Sequence, residues 1–392
     1  MPDLILTLNA GSSSIKFALF AAEAEPVERL RGQVEGIGAE PRIEAKAGGQ
    51  KIADRPAPEI GDHDGALAEI LALIEDAEPG ATVPVVGHRI VHGGTRFAEP
   101  MRLDAEVLVY LESLNPFAPL HQPHNLAGVA AAALAFPRAV QVGCFDTAFH
   151  RRQPWLADTF ALPQAYYEKG VRRYGFHGLS YDFVSGAFAK VAPDRAAGRV
   201  VIAHLGNGAS ACAVKGGVPQ GSTMGFSALD GLPMGTRIGQ LDPGVMLYLM
   251  EQEGMAPAEI SDLVYRQSGL KGLSGLSQDM RVLESAGTKA ADQAIAYFAY
   301  RIQREIGSLT AALGGLDALV FTAGIGEHSV TVRERVCRGL GWIGLSLDAE
   351  RNRAGQMEIS EPGSTVGCYI MPTDEEMTIA RAGLRFVGEN LR

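Results

Sequence analysis

The sequence predicts an α/β protein made of two lobes. At 392 residues with 46% hydrophobic content, the chain is long enough to bury more than one core. A strand, a polar turn and a second strand are expected near the start, and a similar pattern returns in the second half. We therefore expect two related halves that face each other over a cleft. Strands alternate with helices, which is typical of α/β layering. The predicted strands span residues 4–8, 15–20, 84–91, 139–145, 200–205, 211–214 and 318–322.

Two long helices follow from the spacing of hydrophobic residues. Segment 64–77 places its leucines and isoleucines on one stripe, and segment 288–313 begins at Thr288 and repeats an apolar residue every three or four positions. This spacing indicates helices that face a core. Residues 36–62 are instead rich in Gly, Pro, Ala and charged residues, which predicts a loop-rich excursion with at most one hairpin and no function.

Composition argues against several classes of partner. The net charge of −10 disfavours nucleic acid and an anionic membrane surface. The N-terminus lacks a cationic export signal, and the longest apolar run, 126–136, is too short to span a bilayer. We predict a cytoplasmic protein with no membrane partner. The four cysteines show neither paired nor metal-ligand spacing, which fits small buried side chains in a reducing compartment, and they stand at positions 144, 212, 337 and 368.

The first turn has the composition of a phosphate-binding loop. Backbone N–H groups, hydroxyls and an ammonium group gathered at one turn suit a phosphate chain. It is not a P-loop, because the glycine spacing is missing and the turn leads into a strand. A solvent-exposed hairpin tip is the alternative. The residues concerned are Asn9, Gly11, Ser12, Ser13, Ser14 and Lys16.

Two further glycine turns resemble the first. Segment 200–214 is again strand, polar turn and strand, and segment 320–329 places glycines after a strand and before a helix. Three such turns after three strands favour a shared phosphate-binding role over three unrelated loops. The turn residues are Gly206, Asn207, Gly208 and Ser210 in the second segment, and Gly324 and Gly326 in the third.

Two arginines stand among glycines and small residues. Arg89 lies in GHRIVHGG and Arg237 in GLPMGTRIGQLDPG, where buried guanidinium groups could bind a phosphoryl group in transfer. The alternative for each is an ion pair with a nearby carboxylate. Asp146 in CFDTAFH and Glu375 in TDEEMTIA are candidates to hold Mg²⁺, which takes one or two carboxylates besides phosphate oxygens. A helix N-cap or first-turn acid is the alternative, and Asp374 or its predecessor resembles an N-cap.

The histidines allow more than one reading. The i, i+3 and i, i+4 pairs His88/His92 and His121/His124 have metal-like spacing, but they lie in strand or proline-bearing sequence, which disfavours a zinc site. His177 in YGFHGLSY could donate to a phosphoryl oxygen, and a satisfied core histidine is the alternative.

Nine blocks of sequence together resemble acetate kinase and its short-chain acyl kinase relatives. The resemblance runs in order from Asn9 to Arg381. This family belongs to the actin-like ATPase superfamily, so it implies two ribonuclease-H-like lobes that clamp ATP and Mg²⁺ or Mn²⁺ between them. The blocks are LNAGSSSIKF, GHRIVHGG, PLHQPHN, FDTAFH, RRYGFHGLSY, HLGNGAS, STMGFSALDGLPMGTRIG, FTAGIGEHS and TDEEMTIAR.

The resemblance also implies roles for single residues. Those matching catalytic positions are Arg89, Asp146, His177, Asn207 and Arg237. Those matching the substrate site are Arg89, Val91, Leu120, His121 and Phe176. Those matching nucleotide segments are Lys16, His204, Leu205, Gly206, Asn207, Gly208, Asp279, Met280, Arg281, Gly324, Ile325, Gly326 and Glu327. Asn9 and Glu375 match the metal site, and Ser12 and Ser14 belong to the first phosphate loop.

Some positions depart from the family pattern. Ala228 stands where a proline usually lines the acyl pocket, which leaves the acyl length open, because lost ring volume would admit another methylene worth about 1–3 kcal/mol. Met280 replaces a common phenylalanine and His328 a common asparagine, and both concern nucleotide preference.

The expected activity is reversible in-line transfer of the γ-phosphoryl group of ATP to acetate. Alternatives are a propionate or butyrate kinase, a sugar or polyol kinase, and a chaperone-like or filament-forming ATPase. We predict an N-terminal lobe of residues 1–148 and 379–392 and a C-terminal lobe of residues 149–378. The resemblance implies a homodimer formed through the C-terminal lobe.

Overall fold

The structure is a computed structural model that describes residues 3–11 and 13–388. The chain divides into two compact units: unit 1 comprises Met1–Arg151 and Asp374–Arg392, and unit 2 comprises Arg152–Thr373. The lobe boundary expected at 378/379 passes through a helix, Glu375–Leu384, that lies entirely in unit 1. Ser12 and residues 389–392, which the predictions include, lie outside the described residues.

Strands and helices alternate along most of the chain. The strands are β1 (Leu4–Ala10), β2 (Ser14–Ala21), β3 (Val27–Glu35), β4 (Arg42–Ala47), β5 (Gln50–Pro56), β6 (Val85–Ile90), β7 (Met101–Arg102), β8 (Val140–Phe145), β9 (Arg199–Leu205), β10 (Ala209–Lys215), β11 (Val218–Ser222), β12 (Ala318–Thr322) and β13 (Gly367–Ile370). The α-helices are α1 (His63–Ala77), α2 (Ala105–Glu112), α3 (Gln122–Ala135), α4 (Trp155–Asp158), α5 (Gln164–Glu168), α6 (Gly178–Val191), α7 (Pro193–Ala196), α8 (Pro243–Glu251), α9 (Pro257–Asp262), α10 (Gly269–Ser274), α11 (Met280–Ser285), α12 (Lys289–Leu313), α13 (Ala323–His328), α14 (Val330–Arg338), α15 (Ala349–Arg353) and α16 (Glu375–Leu384).

The two units contain sheets with the same inner strand order. Unit 1 has an eight-stranded sheet in the order β5-β4-β3-β2-β1-β6-β8-β7, and unit 2 has a five-stranded sheet in the order β11-β10-β9-β12-β13. In unit 1, β1 to β3 form an antiparallel meander, and β6 and β8 continue the sheet parallel to β1. In unit 2, β9 to β11 form the meander, and β12 and β13 run parallel to β9. The internal repeat predicted from the two polar turns is therefore a repeat of topology.

Both predicted long helices are present, and each has an identifiable start. Asp62 accepts a hydrogen bond from Gly65 N at the start of α1, and the Thr288 hydroxyl accepts one from Ala291 N at the start of α12. The apolar stripe of α1 lies in the core of unit 1 with residues of β1 to β4. Helix α12 ends at Gly314, whose positive φ of 72° suits glycine.

Of two local predictions, one is confirmed and the other is wrong. The excursion 36–62 contains the single predicted hairpin, formed by β4 and β5, which extends the edge of the sheet in unit 1. The prediction of a third glycine turn is wrong, because Gly324 and Gly326 lie within helix α13. Ala323, the first residue of this helix, has a positive φ of 64°.

Helix α16 packs closely on the sheet of unit 1, and its first residue is a predicted site residue. A Cβ atom on Gly87 of β6 would collide with Ile379, and one on Gly383 would lie 3.0 Å from Ile5 Cγ2. Glycine at these positions lets the helix approach the strands. The packing fixes Glu375 at the start of α16, above β1 and β6.

Two observations concern the environment of the chain. In the part of the chain that the structure describes, no helix is both long and apolar enough to cross a membrane. All four cysteines are free and buried, and the sulfur atoms of Cys337 and Cys368 lie 3.8 Å apart.

Candidate active site

An arginine and an aspartate form the centre of a charged cluster in unit 1. Strands β6 and β8 are parallel neighbours, so Arg89, near the end of β6, and Asp146, directly after β8, lie at the same sheet edge. Arg89 Nε donates to Asp146 Oδ1 at 3.0 Å, and Arg89 Nη2 donates to Oδ2 at 2.7 Å. Asp146 is only 1% exposed. The ion pair that was the alternative reading of Arg89 is therefore present, in the bidentate form that fixes a guanidinium plane.

Two further predicted residues adjoin this pair. Arg89 Nη1 lies 3.4 Å from Asn9 Oδ1, and Arg89 Nε lies 3.5 Å from Glu375 Oε2. Burial disfavours the charged form of Arg89, but Asp146 and Glu375 outweigh it and raise the pKa of the guanidinium. Burial, together with the neighbouring Asp146 and Glu376 carboxylates, raises the pKa of Glu375 against the opposing effect of Arg89. The cluster therefore holds a permanent cation beside carboxylates that repel one another.

Arg31, which no sequence pattern indicated, organises the acids around Glu375. Arg31 Nη2 donates to both Asp374 oxygens at 2.9 and 2.8 Å, and its Nη1 donates to Glu376 Oε2 at 3.0 Å. Asp374 also caps α16 by accepting from Met377 N at 3.0 Å, which confirms the N-cap expected there. With both flanking acids bound to Arg31, Glu375 pairs with Arg89. No local signal marks Arg31, because its partner Asp374 lies 343 positions away.

The first phosphate turn is a tight hairpin, as predicted. Asn9 and Lys16 are opposite each other in the antiparallel β1–β2 pair, and Gly11 N donates to Ser14 O at 2.8 Å to close the turn. The Lys16 side chain is exposed. The turn therefore presents an amide oxygen and an ammonium group from neighbouring strands at its base.

The residues assigned to acyl recognition belong to both units. Val91, 8% exposed, follows β6 in unit 1, where Leu120 is partly buried and His121 is exposed at the start of α3. Phe176 belongs to unit 2 and is 1% exposed.

Hydroxyl groups surround the histidines of unit 2. His177 precedes α6 with a left-handed backbone (φ 58°), and its ring stacks on His204 with 4.2 Å between the ring centroids. Its Nδ1 lies 2.8 Å from Ser210 Oγ, which is also 2.5 Å from the Tyr181 hydroxyl. His204 Nδ1 lies 2.8 Å from Ser180 Oγ. Burial raises the pKa of Tyr181, so its hydroxyl stays protonated. The network fixes both imidazole rings by hydrogen bonds to hydroxyl groups.

Gly208 marks where three predicted residues of unit 2 converge. A Cβ atom there would lie 2.7 Å from Arg237 Nη2 and 3.2 Å from His177 Nε2, so the loop backbone lies directly against both groups. Arg237 Nη1 donates to Ala228 O at 2.6 Å. Asn207 packs against the loop of Arg237, since its carbonyl accepts from Gly235 N at 3.1 Å. A guanidinium, an imidazole nitrogen and a glycine turn at one place suit a phosphoryl group.

The loop that contains Gly208 also carries the other nucleotide residues predicted for this strand pair. His204 and Leu205 end β9, and Gly206 N donates to Gly208 O at 3.0 Å between β9 and β10. This is the turn equivalent in strand order to Gly11 in unit 1.

The residues of the other predicted nucleotide segments have different surroundings. Asp279 caps α11 by accepting from Arg281 N at 2.9 Å, and the hydrogen bond from the Arg281 side chain lowers the pKa of Asp279. Arg281 is 89% exposed, whereas Met280 is 4% exposed. The side chain of Met280 therefore contributes to the core of unit 2 and does not present a broad surface to solvent.

Helix α13 is held by an arginine that the sequence analysis also missed. Arg333, 1% exposed, donates through Nη1 to the carbonyl oxygens of Gly326 at 2.9 Å and Glu327 at 2.8 Å, and its Nε donates to Asn352 Oδ1 at 2.7 Å. These acceptors are neutral, and burial lowers the pKa of Arg333. The positive charge of Arg333 therefore stabilises the carbonyl groups at the C-terminal end of α13, the helix that also contains Gly324 and Ile325.

The oxygen atoms near Arg89 are of the kind that bind a divalent cation. Among the residues described, no group of three or more His, Cys, Asp or Glu side chains could hold a metal ion. Asp146 is engaged by Arg89 through both oxygens, whereas Glu375 is a partly buried carboxylate with a raised pKa, which a cation would stabilise. One carboxylate with the Asn9 amide oxygen fits Mg²⁺ that is held mainly by substrate phosphates.

Comparison with known proteins places the chain. The model of the acetokinase family matches residues 4–381. The chain belongs to the acetokinase family. It is 53% identical to an acetate kinase from Methylocella silvestris over 99% of both chains. Two solved structures are similar: the Porphyromonas gingivalis acetate kinase (TM-score 0.88, 38% identity, 98% of this chain and 100% of that one) and a Francisella tularensis propionate kinase (TM-score 0.92, 33% identity, 98% and 99%).

Family membership confirms three predictions at once. The resemblance drawn from nine sequence blocks is correct, the α/β fold with a repeated sheet is the family's fold, and the chain is a kinase that uses a carboxyl group as acceptor. The sugar kinase, chaperone and filament alternatives are thereby set aside.

Proposed function

We propose that the protein catalyses the reversible transfer of the γ-phosphoryl group of ATP to acetate, which gives acetyl phosphate and ADP. Membership of the acetokinase family carries this proposal. The geometry supports it, because residues assigned by resemblance form one cluster around Arg89 and another around Gly208, where Arg237 and His177 meet the glycine turn.

The chemistry needs little proton transfer. A short carboxylic acid has a pKa well below 7, so acetate arrives ionised and needs no general base. A carboxylate oxygen attacks the γ-phosphorus in line, the bond to the β–γ bridging oxygen breaks, and ADP leaves with the electron pair. The barrier is then mostly the approach of two anions, which positive charge and positioned donors lower.

The chain's residues would divide this work. Lys16 and Arg89 of unit 1 and Arg237 of unit 2 supply positive charge, and Asp146 fixes the Arg89 plane through two hydrogen bonds. When Ser210 donates to His177 Nδ1, the proton of the neutral ring sits on Nε2, the atom beside Gly208. That N–H can donate to a phosphoryl oxygen.

A divalent cation completes the proposal. We assign Mg²⁺ or Mn²⁺ to Glu375 and Asn9 together with the phosphates of ATP, where it would neutralise phosphate charge. Burial raises the pKa of Glu375 although Arg89 lies 3.5 Å away, so a bound cation would further stabilise its charged form.

Acyl length is the open choice, and propionate is the second candidate substrate. The similar fold of a propionate kinase and the presence of Ala228 favour testing it. The Ala228 carbonyl holds Arg237, so a change at this position can alter both the pocket and the catalytic arginine.

A hydroxylamine trap tests the activity directly. The enzyme, ATP and Mg²⁺ are incubated with acetate, propionate, butyrate or glycerol, and acyl phosphate is scored as hydroxamate, with ATP omitted as the control. We expect the highest kcat/KM with acetate. A higher value with propionate would reassign the substrate, and phosphorylation of glycerol without any hydroxamate would overturn the proposal.

We also propose that the protein is a cytoplasmic homodimer formed through unit 2. Helix α8 has no buried residue and exposes Val245, Leu247, Tyr248 and Met250 by 40–53%. These exposed apolar side chains suit contact with a second copy of the chain. Sedimentation equilibrium of the wild type against Leu247→Glu tests this, since a dimer that persists in the variant would place the interface elsewhere.

A further inference from the structure

One side-chain amide in helix α3 joins two separate segments of unit 1. Asn125 Oδ1 accepts from Val91 N at 2.9 Å, and Asn125 Nδ2 donates to Ala10 O at 2.7 Å. Ala10 ends β1 and directly precedes the phosphate turn at Gly11, whereas Val91 belongs to the segment assigned to the acyl group. Asn125 is 9% exposed. The amide therefore uses both of its ends to connect the phosphate turn with the acyl segment.

The backbone packing fixes this bridge in place. Gly128, one helical turn after Asn125, would place a Cβ atom 2.7 Å from Ala10 Cβ. Residues three apart lie on the same face of a helix, so α3 contacts the end of β1 through both positions. The helix cannot move away from Ala10 without breaking the Asn125 hydrogen bond.

Two other side chains each contact only one of the two segments that Asn125 joins. Gln122 Oε1 accepts from His92 N at 3.2 Å and its Nε2 donates to His92 O at 3.0 Å, which connects α3 to the acyl segment. Its Nε2 also donates to Leu111 O of α2 at 3.3 Å, and neither contact involves the phosphate turn. His63 Nε2 lies 2.7 Å from Gly11 O, so His63 connects α1 to the phosphate turn and not to the acyl segment. Because a carbonyl oxygen only accepts, His63 Nε2 carries the proton in this contact. The unit thus provides matched controls for Asn125.

We propose that Asn125 is a positioning residue that couples the acyl site to the phosphate turn, so that binding of the carboxylate substrate strengthens binding of the nucleotide. The proposal rests on the proposed function. A ligand that orders Val91 also orders Asn125, and through its second hydrogen bond Asn125 orders Ala10 and the turn beyond it. By linkage, the nucleotide strengthens acetate binding by the same factor, typically about 5- to 150-fold for coupled sites.

Calorimetry of a non-hydrolysable ATP analogue, with and without saturating acetate, measures this factor in the wild type and four variants. We expect a factor of about fivefold or more in the wild type and near one in Asn125→Ala, with the KM of acetate and of ATP both raised. Asn125→Asp keeps the acceptor for Val91 N and loses the donor to Ala10 O, so it should lose the factor with a smaller change in the acetate KM.

The controls separate coupling from general loosening. Gln122→Ala should raise the acetate KM and His63→Ala the ATP KM, each with the factor retained. A factor near one in the wild type, an unchanged factor in Asn125→Ala or Asn125→Asp, or an equal loss in Gln122→Ala would each overturn the proposal. If Asn125→Ala fails to fold by circular dichroism, Asn125→Asp decides. Absence of acetate turnover in the wild type would instead contradict the proposed function, because the binding factor is measured without turnover.

Discussion

The turn regions of the two units follow the same strand order but use different chemistry. In unit 1, the ends of β1, β6 and β8 carry charged groups held by ion pairs, such as Arg89 with Asp146. In unit 2, the end of β9 carries a network of imidazole and hydroxyl groups, and Arg237 is held there by the carbonyl oxygen of Ala228. A repeated backbone thus determines where site residues stand, whereas their chemistry differs freely.

The difference also predicts how each region responds to change. Charged clusters are sensitive to the loss of one member, because the partner is left as an uncompensated buried charge. The unit 2 cluster depends more on close fit, since Gly208 leaves no room beside Arg237 and His177. Charge removal should therefore damage unit 1 most, and added volume should damage unit 2 most.

The largest effect is expected from Arg89→Ala. It removes the positive charge proposed to bind the phosphoryl group and takes this partner from Asp146 and Glu375, so kcat should fall by about 10²–10³-fold at saturating substrate. Steady-state kinetics measures this. Arg42→Ala is the control. It removes an exposed arginine of β4 that pairs with Asp54 of β5, and it should keep wild-type activity. A kcat within a few fold of wild type would remove the charged cluster from catalysis.

A smaller effect is expected from Gly208→Ala, which tests close fit in unit 2. The new methyl group would lie 2.7 Å from Arg237 Nη2 and 3.2 Å from His177 Nε2, so both groups must shift. We expect kcat to fall by about 10- to 100-fold, since a misplacement of about 1 Å costs roughly 10²-fold. Full activity would show that the three groups do not act together.

Gly186→Ala is the matched control for Gly208→Ala. Gly186 lies within α6, and an added Cβ would meet no atom within 4 Å. Alanine is favoured over glycine in a helix interior by roughly 0.5–1 kcal/mol, so this variant should keep its activity and unfold at a slightly higher denaturant concentration.

The smallest effect is a pH dependence that belongs to unit 1. Because the pKa of Glu375 is raised, its carboxyl group takes up a proton at a higher pH than an ordinary glutamate. Protonation removes the charge that a cation needs, so the KM of Mg²⁺ should rise on acidification, by up to about tenfold per pH unit below that pKa. Glu375→Gln should have a high Mg²⁺ KM with little pH dependence. An identical pH profile in the variant would contradict the assignment of Glu375.

The raised pKa of Glu375 also makes the stability of the folded protein depend on pH. A raised pKa in the folded state means that the folded protein binds the proton more tightly than the unfolded chain. The stabilisation from protonated Glu375 is therefore complete below the ordinary glutamate pKa and is lost as pH rises through the raised value. Above that range, a bound cation or Arg89 must offset the buried carboxylate.

Local sequence predicted much of the fold because the strands and turns have local causes. The alternation of β-prone runs located β1, β2, β6, β8, β9, β10 and β12. The apolar stripe located α1, and Thr288 located the start of α12. Strands β3, β7, β11 and β13 were not predicted from the sequence, and each pairs with a neighbouring strand of its sheet. Helix α13 was misread, because glycines at Gly324 and Gly326 favour a turn unless tertiary contacts such as Arg333 hold the helix.

The sequence by itself determined the family, the repeated strand–turn–strand units and most segments of the candidate site, because those depend on residues close together in the chain. Only the tertiary structure decided the pairing. Asp146 fixes Arg89, Arg31 binds Asp374 and Glu376, and Asn125 bridges Val91 and Ala10. These contacts join residues 34 to 345 positions apart, and a hydrogen bond or ion pair depends on distance and direction in space, which spacing along the sequence does not encode.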